Sequence, residues 1–130
     1  MNAKEATMTI LQKMGYEPEY DEDGDIRFPF QLKTIYVIID EEKNYAIVLL
    51  HHFHEIDDDT EAQALTACNK LTRDMRLCKV YLEKDFQHIT ATCEFYFTDE
   101  NSLENSISHS LEVLAIIRSH FNDTMRDYMN

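Results

Sequence analysis

The sequence predicts an α+β domain that combines three helices with an antiparallel sheet of about five to six strands, in the order α-β-β-β(-β)-α-β-β-α. Two observations predict this class. Three segments, near the start, the middle and the end of the chain, repeat apolar residues every three or four positions, as a helix with one buried face does. Between them lie aromatic and β-branched runs of strand length, cut by turn residues and joined without a crossover helix, which favours antiparallel pairing.

The first elements are a helix, a turn and a strand. The apolar residues of segment 3–14 fall on one helical face, and Gly15 stands where a left-handed C-cap would end the helix. Asp23 and Gly24 form a hairpin turn signal, so we expect a short edge strand before them. The strand that follows alternates between apolar and polar residues. Its apolar side comprises Ile26, Phe28, Phe30 and Leu32.

The next two strands, residues 35–39 and 45–50, are apolar on both faces. Strands of this kind are covered on both sides. Either helices pack on both faces of the sheet, or a second subunit or a ligand closes one of them. The length of the turn between the strands does not fix their relative register, so the apolar set that faces the helices stays undetermined.

A second helix and two more strands follow. Thr60 and Gln63 have the spacing of a capping box, which predicts a helix start behind three aspartates, and Leu65 belongs to its expected buried stripe. Strands are predicted at residues 77–83 and 88–98. The second of them alternates, with Ile89, Ala91, Cys93, Phe95 and Phe97 inward and Thr90, Thr92, Glu94 and Tyr96 outward.

The last element is a long helix. It is predicted to start near Asn101, whose side chain would cap it while Glu104 reaches back, and to run for about 24 residues. Its apolar stripe is widened in the middle by Val113, Ile116 and Ile117. A stripe of that width predicts contact with more than one surface.

Length and charge restrict the class of protein. The 130 residues predict a single domain over residues 1–130, and the formal charge of −13 argues against nucleic acid or a membrane surface as partner. The first residues lack a basic segment followed by an apolar core, so we expect no signal peptide. The three cysteines match neither a disulfide framework nor a zinc motif. These features together predict a cytoplasmic protein.

One cluster resembles a chemical site. It runs from His51 to Glu55 and continues through the aspartates Asp57 to Asp59. On a regular strand His52 and His54 share a face, and Asp57 would complete a three-ligand metal set. The simpler interpretation is a strand end followed by a helix start, so we expect no resident metal or cofactor and keep metal binding, or a metal-dependent enzyme, as the alternative. The sequence contains no hydrolase, nucleotide-binding or metalloprotease motif, which predicts that the protein is not an enzyme.

The order of elements, the small size and the marked acidity resemble the type III secretion chaperone-like fold and, within it, the YbjN-type bacterial proteins. This resemblance covers nearly the whole chain and rests on order, length and pattern. It implies a curved antiparallel sheet with helices on it, in a domain that is non-enzymatic and often dimeric. In the secretion chaperones such domains hold an extended segment of a client protein.

The resulting hypothesis is a non-catalytic domain, chaperone-like or regulatory, that recognises a partner polypeptide through an apolar sheet or helix surface and forms a homodimer. A third alternative is a structural subunit whose acidic surface recruits a basic partner. The observations behind the leading hypothesis are the two strands with two apolar faces and the wide final stripe. The residues predicted for the partner or dimer surface are Tyr36, Ile38, Val48, Leu50, Ile116 and Ile117.

Overall fold

The computed structural model describes residues 1–129 and contains the predicted order of elements with six strands. The α+β prediction, with its antiparallel sheet and three helices, is confirmed. A short 3-10 turn at Asp58–Thr60 leads into the second helix. The elements are α1 (Ala3–Lys13), β1 (Glu19–Tyr20), β2 (Ile26–Phe30), β3 (Lys33–Asp40), β4 (Tyr45–Glu55), α2 (Glu61–Asp74), β5 (Cys78–Leu82), β6 (His88–Tyr96) and α3 (Glu100–Met129).

The sheet is antiparallel throughout, with the strand order β1-β2-β3-β4-β6-β5. A two-residue turn joins β2 to β3, and both of its residues, Gln31 and Leu32, have positive φ angles of 50° and 65°. Because Leu32 lies in this turn, its side chain is 98% exposed, and the prediction that it continues the buried side of the strand is wrong. Gly15 has a φ of +95° directly after α1, as predicted for the residue that ends the helix.

The hydrophobic core lies between one face of the sheet and the helices. Alternate residues of β2, β3 and β4, together with Ile89, Ala91 and Cys93 of β6, are buried against apolar residues of α1, α2 and α3. The T-shaped contact between Phe53 of β4 and Phe121 of α3, at 5.4 Å between ring centroids, is one example. The side chains that this helix-covered face contributes from the three central strands are Ile35, Val37, Ile39, Ala46, Val48, Leu50, Ile89, Ala91 and Cys93.

The helix starts differ from the predicted ones. The Thr60 hydroxyl donates to Asp57 and makes no capping contact with α2, so the predicted capping box is absent. At α3 the cap is Asp99, whose carboxylate accepts the Ser102 N–H at 2.7 Å while the Ser102 hydroxyl oxygen accepts the Asp99 N–H at 3.1 Å. This reciprocal pair starts the helix at Glu100, before the predicted Asn101 cap.

Two predictions about the helical stripes also change. With this earlier start α3 is 30 residues long, where the apolar stripe predicted about 24. In α2, Leu65 is exposed, although the sequence places it in the buried stripe. Ala64, Ala67, Cys68 and Leu71 are the buried residues of that helix. Small side chains therefore form much of its contact with β5 and α3.

Candidate functional site

The face of the sheet opposite the helices carries a group of apolar and aromatic side chains bordered by polar and charged ones, and we call it the open face. The strand register defines it. In β3 and β4, Tyr36 is opposite Leu49 and Ile38 is opposite Ile47. The register then extends the face into β6, β5 and β2. The open face comprises Arg27, Tyr36, Ile38, Tyr45, Ile47, Leu49, Lys79, Tyr81, Thr90, Thr92, Glu94 and Tyr96.

The centre of the open face is aliphatic and half-buried. Ile38, Ile47 and Leu49 are shielded only by their neighbours on the sheet, since the helices of the described chain pack against the other face. At its edge Tyr96 is 72% exposed, and its ring lies 5.0 Å from that of Tyr45. Apolar side chains that remain partly exposed in a continuous group are typical of surfaces that bind another protein.

A short polar network borders this aliphatic centre. The Tyr45 hydroxyl donates to one oxygen of Glu94, and Lys79 Nζ lies 2.7 Å from the other. This hydrogen bond raises the pKa of Tyr45 to about 12. Partial burial alone would raise the pKa of Glu94, but the bonds from Lys79 and Tyr45 outweigh it and the net pKa is lowered. Glu94 is therefore ionised at neutral pH and holds both partners in place.

The six residues predicted for the partner surface separate into two groups. Tyr36 and Ile38 lie on the open face, and Ile116 is 43% exposed on α3. The side chains of the other three are fully buried in the core, so the surface has to be redefined without them. These buried residues are Val48, Leu50 and Ile117.

The register explains this division. Val48 pairs with Val37 and Leu50 pairs with Ile35, and all four side chains face the helices. The accessible neighbours along the same strand are Ile47 and Leu49, which the sequence prediction omitted. The signal that could have found them is the apolar character of both faces of β4. It identifies two candidate sets but does not say which of them the helices cover.

A second feature lies at the end of the open face, where three imidazole rings stack. The ring centroids of His51 and His52 are 3.7 Å apart, and those of His52 and His88 are 4.3 Å apart. Glu83 Oε2 lies 3.4 Å from His52 Nε2. Tyr36 connects this group to the open face through a T-shaped contact of 5.5 Å with His51. Burial, followed by the neighbouring His52, lowers the pKa of His51.

The candidate residues of the alternative metal set, His52, His54 and Asp57, do not come together in the described part of the chain. His54 pairs with the core residue Ile89 and its ring packs 4.8 Å from that of Phe121. A bulge between Leu50 and His54 changes the alternation of β4 and turns His54 away from His52. The three-donor groups found among residues 1–129 that include His52 contain neither His54 nor Asp57.

The remaining features concern the thiols and the helices. Cys68, Cys78 and Cys93 are all buried and free. Burial raises the pKa of the Cys68 thiol to about 12, far above the range of a reactive thiolate. Within residues 1–129, no helix is both long enough and apolar enough to cross a membrane.

Comparisons with known proteins give a family and a fold. The family model described as "T3SS (YopN, CesT) and YbjN peptide-binding chaperone 1" matches residues 2–126. A search of curated proteins gave no match. The structure of YbjN from E. coli aligns with a TM-score of 0.67 at 7% identity, over 87% of this chain and 86% of that one. The Yersinia pestis type III secretion chaperone SycH, in complex with a fragment of YscM2, aligns with a TM-score of 0.54 at 14% identity, over 97% and 98% of the two chains.

Proposed function

The chain belongs to the family of T3SS and YbjN peptide-binding chaperones, and we propose that it is a non-enzymatic chaperone or regulator that binds an extended segment of a partner polypeptide on the open face of its sheet. The observation that carries the proposal is the aliphatic centre of that face, formed by Ile38, Ile47 and Leu49. Contact with a partner would remove this apolar surface from water, which is the main favourable contribution in most protein association.

The surroundings of the aliphatic centre support a polypeptide as the ligand. Tyrosine side chains provide large, rigid contact area with a polar tip, and they are enriched at protein interfaces. Four of them, Tyr36, Tyr45, Tyr81 and Tyr96, border the centre. The face is shallow, which fits an extended segment whose alternate side chains point towards the sheet.

The edges of the sheet are less suited to binding a partner strand. At one edge β1 has only two residues. At the other edge the Thr72 hydroxyl of α2 occupies both the N–H and the carbonyl group of Val80 in β5. A strand added at β5 would have to displace this contact. The proposed binding mode therefore uses the face of the sheet.

The acidic charge of the chain favours partner polypeptides that carry basic residues. The chain carries 25 acidic and 12 basic residues, and acids flank the open face at both ends, at residues 40–42 and at Glu83 and Asp85. A partner segment with an apolar centre and basic flanks fits this arrangement. Its apolar contacts give the affinity, whereas the charges increase the rate of encounter and make that rate dependent on salt.

We also propose a homodimer, formed through a different surface so that the open face stays accessible. α3 is the candidate because it carries exposed apolar side chains away from the sheet, among them Ile116 and Tyr128, each 43% exposed. Light scattering at micromolar concentration should give twice the chain mass, and Ile116→Asp should give the monomer. A monomeric wild-type protein would rule the dimer out.

The three buried free thiols are in keeping with the reducing cytoplasmic setting expected from the sequence.

The proposed function is tested by affinity capture from the native organism's lysate with two matched baits. Ile47→Lys places a charge at the centre of the open face, and because Ile47 lies opposite Glu94 the new ammonium gains a cross-strand partner. Circular dichroism checks that the variant is folded. Leu65→Lys is the control, a lysine at an exposed leucine on α2. We expect one stoichiometric partner to be captured by wild type and Leu65→Lys, at low and high salt, and to be lost with Ile47→Lys. Equal capture by both variants would contradict the open face as the binding surface.

A further inference from the structure

We propose that His51, His52 and Glu83 form a binding site for a divalent transition-metal ion of the Zn²⁺ class at the end of the open face. The site goes beyond the chaperone function and does not depend on it. It is built from two consecutive residues of β4 and one residue that follows β5. The donor atoms of the three side chains all lie within 4.8 Å of one another, and all three residues are half-buried.

The backbone places two consecutive imidazoles on the same side of the strand. On a regular strand His51 and His52 would point to opposite faces. Here three residues of β4, His51, His52 and Phe53, lie opposite the single residue Thr90 of β6, and His52 has a φ of +46°. Such a conformation is uncommon for a residue other than glycine and costs about 1–3 kcal/mol. Its result is the pair of rings 3.7 Å apart.

Glu83 supplies the third donor atom from the connection that follows β5. Its Oε2 lies 3.4 Å from His52 Nε2, and the backbone N–H of Glu83 donates to the carbonyl group of His88 at 2.8 Å, which fixes the residue against β6. Ligands of a tetrahedral Zn²⁺ stand about 2.0–2.2 Å from the metal and so about 3–3.6 Å from each other. Side-chain rotation of the half-buried His52 and Glu83, each 30% exposed, would bring the donor atoms to that spacing.

His88 and Asp85 position this group and are not ligands of the same ion. Asp85 Oδ2 lies 2.5 Å from His88 Nδ1, and Asp85 Oδ1 accepts the backbone N–H groups of Gln87 and His88. The carboxylate thereby orients the His88 ring, which stacks on His52 at 4.3 Å. His88 is two ring spacings from His51, which is farther than the distance of about 3–3.6 Å between two ligands of one tetrahedral ion. One ion can therefore use His52 with His51, but not all three rings.

The donor set indicates the class of ion. Two imidazoles and one carboxylate suit Zn²⁺, Co²⁺ or Ni²⁺, whereas Ca²⁺ and Mg²⁺ prefer oxygen ligands. Three protein ligands leave one position of a tetrahedral ion for water or for a side chain of a bound molecule. Because His51 contacts Tyr36 of the open face, the proposed metal site lies beside the proposed binding surface. This position would allow the ion to contact a bound polypeptide directly.

The test is a titration of untagged, chelator-treated protein with Zn²⁺, followed by calorimetry, and with Co²⁺, followed by its visible absorption. We expect one ion per chain. His51→Ala and His52→Asn should each weaken binding at least about tenfold, because even the loss of a partner that only orients a ligand has an effect of that size. Asparagine is chosen at position 52 because it tolerates a positive φ, so the bulge is kept.

The control is His120→Ala, which removes an exposed histidine of α3 and should leave Zn²⁺ affinity unchanged. Circular dichroism of each variant confirms that it is folded. Binding that is equally strong in His52→Asn and wild type would overturn the site. Binding that is lost in His88→Ala but kept in His51→Ala would overturn the assigned ligands.

Discussion

The hydroxyl group of Thr72 in α2 closes the outer edge of β5 at Val80. Its oxygen accepts the Val80 N–H at 2.9 Å and its hydrogen is donated to the Val80 carbonyl group at 3.2 Å. One side chain thus takes the place of a neighbouring strand at this edge. An edge strand with free backbone groups is a template for pairing with another chain, and this contact removes that option at the centre of β5.

Thr72→Val removes both bonds while keeping the shape of the side chain. We expect the free energy of unfolding to fall by about 1–2 kcal/mol, since a net hydrogen bond contributes about 0.5–1.5 kcal/mol, and we expect self-association through the uncovered edge. Urea denaturation and light scattering measure the two effects. The control is Thr66→Val, because Thr66 is exposed on α2 and bonds only to Ala62 of its own helix. An equal loss of stability in both variants would refute the role of Thr72 as an edge cap.

Leu49 and Leu50 are adjacent and chemically identical, but they lie on opposite faces of the sheet. Leu50 is fully buried in the core, so Leu50→Ala should lower the free energy of unfolding by about 2–5 kcal/mol. Leu49 is only half-buried on the open face, so Leu49→Ala should cost less, about 1 kcal/mol. Urea denaturation of both variants measures the difference. A larger loss of stability for Leu49→Ala would mean that Leu49, rather than Leu50, faces the helices.

The ionisation of Tyr45 on the open face makes one contribution to the stability of the fold depend on pH. Its hydrogen bond to Glu94 raises its pKa to about 12, compared with about 10 in an unfolded chain. The folded state therefore favours the neutral phenol. The contribution of this bond to stability is fully present below pH 10 and is lost as the pH rises towards 12.

An alkaline titration of tyrosine absorbance in wild type and Tyr45→Phe isolates this group. The difference between the two curves should have its midpoint near pH 12. A midpoint near 10 would show that the bond to Glu94 does not persist in solution.

The three thiols should be unreactive in the folded protein. All three are buried, which keeps reagents away from them, and burial raises the pKa of Cys68 to about 12, so almost no Cys68 thiolate is available near pH 8. A thiol reagent should therefore modify the native protein only as fast as the protein opens, and should modify all three thiols rapidly in urea. Fast modification of Cys68 in the native state would contradict its placement against the core.

The sequence predicts the order of helices and strands because the local signals agree with the fold. The alternation of Ile26, Phe28 and Phe30 and the position of Gly15 are confirmed. Of the inward residues predicted for β6, Ile89, Ala91 and Cys93 are buried, whereas Phe95 is only half-buried and Phe97 lies beyond the end of the strand. These patterns depend only on neighbouring residues in the chain.

The sites depend on features that local patterns do not contain. The four-residue turn before Tyr45 includes Asn44 with a φ of +52°, and it decides that Ile47 and Leu49, rather than Val48 and Leu50, face away from the helices. The histidine stack needs the positive φ of His52, and nothing in the local sequence distinguishes His52 from the neighbouring histidines as the residue that adopts it. Its partner Glu83 is 31 residues away and is brought near by the pairing of β6 with both β4 and β5.

The central claim is that a partner polypeptide lies on the open face, and chemical-shift mapping tests it most directly. The captured partner's binding segment, prepared as a peptide, is titrated into isotope-labelled protein while backbone and methyl signals are recorded. The proposed function predicts the largest changes at Tyr36, Ile38, Ile47 and Leu49, with the exposed residues of α2 unchanged. Changes confined to β5 or α3, with the signals of Ile38 and Ile47 unmoved, would contradict it.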